Sequence, residues 1–336
     1  MTRLFLLWPI ALLFSIHVRG ADTTVADFVG NWALEMPDGS SGWLTLSEVD
    51  SQITGELWTV GSPKSLSKIS LKDGTLQFYH RRAVGKREYE GGPNTGPKIP
   101  CRHLATVQED HMHLVKEIPV DGTTEKLPFK GKKMPPLPPR PDLSQIKFGE
   151  PIDLFNGKDL SGWRLTNPKQ INGWKAVAGV LVNETPKTTF DPYARYGNLQ
   201  TDREFTDFNL SIDFKVPSGG NSGIYLCGRY EAQVVDRDSR MQGIHGVGAI
   251  FNRIAPETMA GKAGDEWQTY DLTLVDRHIT VILNGVKVID NQPLEGCTNG
   301  ALKADETIPG PIYLQGDHTS VAYRNIVLRE VRSKSR

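Results

Sequence analysis

The chain has 336 residues, with 39 Lys and Arg against 39 Asp and Glu, so at about 100 to 200 residues per domain it holds two domains or three. A formal net charge of zero gives none of the positive field that neutralises phosphates, which excludes nucleic acid as a partner. With 38% hydrophobic and 23% charged residues the composition is that of a folded globular protein, neither disordered nor collagenous.

Residues 1–20 contain Arg3 and then an apolar run from Leu4 to Ile16, too short to span a bilayer and suited to a secretory signal peptide. Val18 and Gly20 hold the small-residue positions before Ala21, and no Cys follows them. This predicts cleavage to a free chain, exported to the periplasm or the extracellular space and not membrane-bound afterwards. Cys101, Cys227 and Cys297 allow at most one intrachain disulfide there. Their spacing matches no zinc motif, and each reads as a small core hydrophobe. The sequons at Asn183 and Asn209 matter only in a host that glycosylates exported proteins.

From residue 21 to 125, short alternating runs over 31–36, 43–49, 53–60, 76–80 and 111–118 are separated by Gly, Asp and Ser turns, which predicts a small antiparallel β-barrel-like domain. Gly30-Asn31-Trp32 is similar to the Gly-x-Trp of lipocalin-type barrels, which would make the barrel a ligand-binding unit in its own right. His111 and His113 share a strand face but show no third metal ligand. Residues 126–146 begin KLPFKGKKMPPLPPRPD; the proline density predicts an extended linker.

From residue 147 to 336 the alternation strengthens. Phe208, Leu210, Ile212, Phe214 and Val216 share one strand face, with Asn209, Ser211, Asp213 and Lys215 on the other. Residues 267–290 hold two strand runs, and Asn284-Gly285 is the pair that a type I′ hairpin turn demands. Residues 311–314 and 321–331 add two more strands. No segment keeps a 3.6-residue period, so the prediction is an all-β sandwich with little helix.

Read as one strand after the turn Gly219-Gly220-Asn221-Ser222, residues 223–236 put Ile224, Leu226, Tyr230, Ala232 and Val234 toward the core and Tyr225, Cys227, Arg229, Glu231, Gln233 and Val235 on the opposite face. Such a row, stepped at about 6.6 Å, offers a ring, a guanidinium, a carboxylate and an amide to a sugar in an open trough. A two-carboxylate glycosidase finds no support here. Glu231 and Asp236 would lie about 16 Å apart on opposite faces, against the roughly 5 to 9.5 Å that hydrolysis needs. Asp213 could reach the same sheet face only if residues 216–223 form a hairpin. His318, where a strand runs into a loop, and His245, in a Gly-rich stretch, are candidate bases. The chain has no Walker loop, no Gly-x-Ser-x-Gly elbow and no His-Glu-x-x-His, which disfavours standard phosphoryl transfer, serine hydrolysis and zinc proteolysis.

The series Phe155-Asn156-Gly157-Lys158-Asp159-Leu160-Ser161-Gly162-Trp163, Trp174-Lys175, Gly179-Val180-Leu181-Val182-Asn183, residues 219–226, Tyr230-Glu231, Glu266-Trp267-Gln268-Thr269-Tyr270-Asp271 and Arg324-Asn325-Ile326 resembles the 3-keto-disaccharide hydrolase family over about 147–331. The resemblance implies a concanavalin-like jelly roll whose curved sheet bears a carbohydrate groove. It also implies cleavage of 3-keto glycosides, made by a separate sugar oxidoreductase, through C2 proton abstraction, elimination and hydration. Carried onto this chain, Glu231 becomes the base or a ligand of a divalent metal, and Arg229 or that metal the enolate stabiliser. His318 is the competing base or ligand, and Tyr225, Gln233, Asn221 and Gln315 hold hydroxyls. Family members often read Gln-Gly-His-Gly where this chain reads Gln315-Gly316-Asp317-His318, a shift of one position. A non-catalytic, lectin-like carbohydrate-binding protein is the alternative reading, since this architecture hosts both.

Overall fold

The computed structural model describes residues 23–59, 63–83, 96–120, 122–186 and 196–334; the expected leader at 1–20 and Val60 lie outside them. The first sheet takes β1 (Gly30–Glu35), β2 (Ser41–Val49), β3 (Gln52–Trp58), β4 (Lys64–Ser65), β5 (Ser67–Lys72), β6 (Thr75–Ala83), β7 (Lys98–Gln108), β8 (His111–Val120) and β9 (Thr123–Lys133). Sequential neighbours β1 to β4 pair, as do β5 to β9, and β9 returns to β1. β4 pairs with β3 and β5 with β6, and only Leu66 lies between β4 and β5. One bent segment therefore nearly closes an up-and-down barrel. Trp32, Leu44, Leu76, Phe78, Met112 and Leu114 fill it. A short helix α1 (Val25–Phe28) stoppers one end, with Phe28 fully buried and its carbonyl accepting from Trp32 Nε1 at 2.8 Å.

The linker expected from residue 126 starts later, because residues 126–133 are the last strand of the barrel. Prolines mislead there: Pro128 falls on a stretch of β9 that β1 does not pair with, since β1 meets only Lys130–Lys133, and a strand with one partner tolerates a missing N–H. Extended chain runs from 134 to 142 and ends in a 3₁₀ turn, Leu143–Gln145.

The remaining strands are β10 (Ile146–Phe148), β11 (Ile152–Asp153), β12 (Trp163–Leu165), β13 (Trp174–Val177), β14 (Val180–Asn183), β15 (Leu199–Thr201), β16 (Phe208–Lys215), β17 (Asn221–Leu226), β18 (Tyr230–Val235), β19 (Gln268–Val275), β20 (His278–Leu283), β21 (Val286–Pro293), β22 (Tyr313–Leu314) and β23 (Val321–Lys334). They form a large sheet, β13-β14-β23-β16-β19-β20-β21 with β10 and β11 also on β23, and a smaller one, β12-β15-β22-β17-β18. This is a jelly-roll sandwich. Phe208, Leu210, Ile212 and Phe214 meet Ile224, Leu226, Ala232 and Val234 in its core, as period-2 alternation requires. Asn284 and Gly285 both take positive φ at the β20–β21 turn.

Two sequence expectations change. Residues 216–221 cross between the sheets instead of forming a hairpin, so Asp213 lies in the large sheet, where Asn325 Nδ2 and Thr269 Oγ1 donate to it. Asn183 is fully buried and its amide donates to the Gly316 carbonyl at 2.9 Å, which leaves that sequon no room for a glycan. The three cysteines are free and buried. Barrel and sandwich meet through Ala33, Trp43, Trp58 and Met134 on one side and Cys297, Ala301 and Ala304 on the other. The Arg253 guanidinium lies 3.5 Å from the Trp58 ring centroid, and Lys132 Nζ pairs with Asp305 at 2.9 Å.

Candidate functional site

Residues 223–236 are not one strand. Cys227 and Gly228 both take positive φ, folding the segment into the β17–β18 hairpin, so Tyr225 stands opposite Glu231 and Gly223 opposite Gln233. Alternation still places Tyr225, Glu231 and Gln233 away from the core, but as cross-strand neighbours about 5 Å apart and not as a row about 20 Å long. Cys227 and Arg229 leave the row with the turn. The Cys227 thiol donates to the Phe205 carbonyl within the core. Arg229 donates to the carbonyls of Asp305 and Ile308 at 2.5 and 2.6 Å, so its guanidinium holds that loop and is not available to an enolate.

The expected open trough is covered. Tyr225, Arg229, Glu231, Gln233 and Gln315 are between 1% and 7% exposed. Two segments do the covering. Residues 294–308 pass over the hairpin: Thr298 Oγ1 accepts from Glu231 N at 3.0 Å, Leu302 N donates to the Gly228 carbonyl, and the Asn299 carbonyl accepts from the Tyr225 hydroxyl at 2.8 Å. Residues 249–251 take the free edge of β18, with Gln233 N donating to the Ala249 carbonyl and Phe251 N to that of Glu231.

Inside this enclosure burial pushes the Glu231 carboxyl up to about 8; the hydroxyl of Tyr225 acts in the opposite sense and the negative charge of Asp317 adds to the rise. Burial, with the charge of Glu231, drives the Tyr225 phenol well above its ordinary range. The proton positions follow. With Glu231 protonated, its O–H donates to Tyr225 Oη, which in turn donates to the Asn299 carbonyl; ionising Glu231 requires the tyrosine hydroxyl to turn back toward the carboxylate. Gly223 makes room for this acid, since a Cβ there would stand 2.8 Å from Glu231 Cγ and 2.9 Å from Cδ.

Sequence reasoning missed Tyr313, Asn198 and Asp317. Tyr313 shares its strand face with Gln315 by alternation, the signal that could have found it. Its ring stacks on Tyr225 with centroids 4.2 Å apart, and its hydroxyl accepts from Asn198 Nδ2 at 2.8 Å. Asn198 Oδ1 in turn accepts from the backbone N–H groups of Gly316 and Asp317, fixing the loop that carries His318. There Asp317 Oδ1 lies 2.6 Å from His318 Nδ1, both side chains partly exposed. A carboxylate at Nδ1 holds the tautomer whose Nε2 carries a lone pair. Asn221 is pinned at β17 through its backbone, its N–H donating to Thr319 Oγ1. Gln233 Nε2 donates to the His245 carbonyl at 3.2 Å, while Gln233 Oε1 and Gln315 Oε1 are buried and have no hydrogen-bond partner among the described residues.

The other candidates go elsewhere. His245 Nε2 meets Asn252 Oδ1 at 2.7 Å, and its ring packs on Phe251. Asp236 accepts from Gly219 N and Asp238 N, a turn-fixing role. His111 and His113 are exposed on the barrel. Among the described residues no three His, Cys, Asp or Glu side chains converge. Among the described residues Glu231 and His318 therefore find no third such ligand with which to hold a divalent metal.

The model of the 3-keto-alpha-glucoside-1,2-lyase-like domain matches residues 150–329. The chain belongs to this family. The membership makes the sandwich a glycoside-acting, hydrolase-type enzyme domain; the barrel lies outside the matched range. Curated proteins give no match. Among solved structures the lyase-like domain is similar to a candidate glycosyl hydrolase from Parabacteroides distasonis, with 22% identity over 54% of this chain and 94% of that one and a TM-score of 0.45. It is also similar to a non-specific endo-β-1,3(4)-glucanase of family GH16, with 14% identity over 56% and 92% of the two chains and a TM-score of 0.35. A laminarinase from Flavobacterium sp. UMI-01 gives 12%, 55%, 100% and 0.32 on the same measures.

Proposed function

We propose that the lyase-like domain cleaves glycosides whose C3 is already a ketone, with Glu231 as the base. The ketone acidifies the C2 proton. Glu231 takes that proton, the electron pair moves through C2 to the C3 oxygen as an enolate, and its return expels the C1 substituent. The proton held by Glu231 passes to the expelled oxygen, which leaves as an alcohol and regenerates the carboxylate, and water then adds across the C1–C2 double bond, its oxygen to C1 and a proton to C2. The observation that carries this reading is the Glu231 carboxyl, opposite Tyr225 and raised to about 8, because a proton-transfer group works best with a pKa near the operating pH; at 4% exposure it meets C2 only when residues 294–308 shift to admit the sugar. Tyr313, whose hydroxyl accepts from Asn198 and keeps its own proton to give, is suited to the enolate oxygen. The unpartnered oxygens of Gln233 and Gln315 are acceptors for sugar hydroxyls.

A second reading makes His318 Nε2 the base, favoured by the 2.6 Å contact of its Nδ1 with Asp317. The substrate class implies a separate oxidoreductase that installs the ketone, and residues 1–20 imply export to the periplasm or beyond. Turnover of a 3-keto disaccharide by wild type, Glu231→Gln and His318→Gln tests the substrate class and the choice of base. Activity lost only in Glu231→Gln supports the first base, and loss only in His318→Gln the second. Tight sugar binding with no 3-keto turnover would return the domain to the lectin-like class.

A further inference from the structure

Residues 296–306 form a loop whose two ends meet. Gly296 N donates to Glu306 Oε1 at 2.6 Å, and the same oxygen accepts from the Tyr230 hydroxyl at 2.8 Å. The neck is thus fixed to the sandwich while residues 297–305 project beyond it, the build of an Ω-loop. On one side the loop lies on the β17–β18 hairpin. Thr298 N and Thr298 Oγ1 both donate to the Arg229 carbonyl at 2.9 Å, and Leu302 N donates to that of Gly228 at 2.8 Å. Gly300, at positive φ, passes so close to Tyr225 that a Cβ on it would stand 2.8 Å from Oη.

On the other side there is room. A cleft of about 520 Å³ lies between the loop and the outer wall of the barrel, lined by Ala33, Glu35 and Ser41 on the barrel and by Leu302, Lys303 and Ala304 on the loop. At its rim Lys132 Nζ pairs with Asp305 at 2.9 Å, so the loop is already tied to the barrel side. Its buried side chains, Cys297, Thr298 and Ala304, are all small, and a segment held by hydrogen bonds over little buried apolar surface opens locally at a fraction of the cost of global unfolding. A sugar must enter between loop and hairpin, because Tyr225 and Glu231 are only 1% and 4% exposed. The hairpin is two strands of the smaller sheet and is held by its ladders; the loop is what yields, toward the side with space.

We propose that the barrel gates the sugar site: residues 297–305 swing about the Gly296–Glu306 neck into the cleft, and the gap they leave admits the substrate to Glu231. That a sugar is what enters rests on the reading of Glu231 above; the motion itself does not, and it is measured without substrate. Hydrogen exchange on the full chain, read by mass spectrometry, should show the 297–305 amides exchanging about tenfold or more faster than those of β17 and β18. Ser41→Trp fills the cleft from the barrel wall, away from the hairpin. It should slow exchange of 297–305 by about fivefold or more, leave β17 and β18 unchanged, and lower kcat/KM on a 3-keto disaccharide by a similar factor. Ser41→Thr, which adds one methyl, should stay within about twofold of wild type on both measures. If Ser41→Trp does not fold, Ser40→Trp, on the same lining, reads the same space. Loop amides as protected as the strands, or loop exchange unchanged by Ser41→Trp, would overturn the gate. Slowed loop exchange together with no 3-keto turnover by wild type would keep the gate and remove the substrate class instead.

Discussion

Tyr225 and Glu231 face each other across the β17–β18 ladder, and this single pairing joins a buried acid to a hydroxyl that donates to the covering loop at the Asn299 carbonyl. Because burial raises the Glu231 pKa to about 8, the base form is scarce at pH 6 and dominant at pH 9. On 3-keto glycosides, kcat/KM should therefore rise with pH through an inflection near 8, and Glu231→Gln should lower kcat by about 10²- to 10⁴-fold. An inflection in the ordinary carboxylate range would remove Glu231 as the titrating base.

The same shift has a consequence for stability, with a definite sign. An unfolded Glu releases its proton near 4.5, while native Glu231 keeps it to about 8, so the native state binds more protons between those values and stability falls as pH rises across that window. Above pH 8 the loss is complete, with an upper bound of about 5 kcal/mol at 1.36 kcal/mol per pKa unit. Glu231→Gln abolishes this slope. Thermal melts at pH 5, 7 and 9 should show the variant gaining on wild type as pH increases; parallel curves would contradict the burial argument.

Tyr225→Phe separates the relay from the packing. It keeps the stack on Tyr313 and removes the hydroxyl that lowers the Glu231 pKa, so the pH–rate inflection should move further alkaline. The cost in stability should stay near 1 kcal/mol, the usual worth of a hydrogen bond such as that to Asn299. A pH–rate titration reads the first effect and urea unfolding the second.

Gly223→Ala tests the space under the acid. A Cβ there overlaps the Glu231 carboxyl, so the variant should lose about 1 to 3 kcal/mol by overpacking and most of its activity. In a Glu231→Ala background the same change should cost much less, a coupling that a double-mutant cycle on unfolding free energies measures directly. Equal cost in both backgrounds would mean that the glycine serves the strand and not the acid.

Local pattern made much of the sandwich legible. The alternation from Phe208 to Val216 named the core face, and Asn284-Gly285 named its hairpin turn. It failed at Cys227-Gly228, because Cys carries no turn signature: its positive φ is tolerated inside a hairpin whose pairing supplies the stability. That one fold turned a linear row into a cluster and took Arg229 out of the site. Burial of the cluster was equally hidden. The covering residues 294–308 lie more than 60 positions downstream of Glu231, and a contact at that separation leaves no periodic trace in either segment. In the barrel, proline density between 126 and 142 looked like linker throughout, although the first half of it is strand.

The covering loop rests on one buried acid. Glu306 accepts from the Tyr230 hydroxyl at 2.8 Å, from Gly296 N at 2.6 Å and from Arg277 Nη1 at 2.7 Å. Arg277 also donates to the carbonyls of Pro135 and Pro136 in the linker. Glu306 therefore ties the β17–β18 hairpin, the cover and the interdomain segment together. Glu306→Gln takes the 2.7 Å partner from the largely buried Arg277 and leaves it the looser Glu295 carboxylate at 3.8 Å, which should cost up to about 3 kcal/mol, and slackening of residues 294–308 around Asn299 should reduce kcat severalfold. Adding Arg277→Met removes the loosely paired charge, so the double variant should regain stability over Glu306→Gln alone while activity stays low. Denaturant melts and turnover on the same samples separate the two effects; a double variant no more stable than the single would show that the ion pair does not hold the cover.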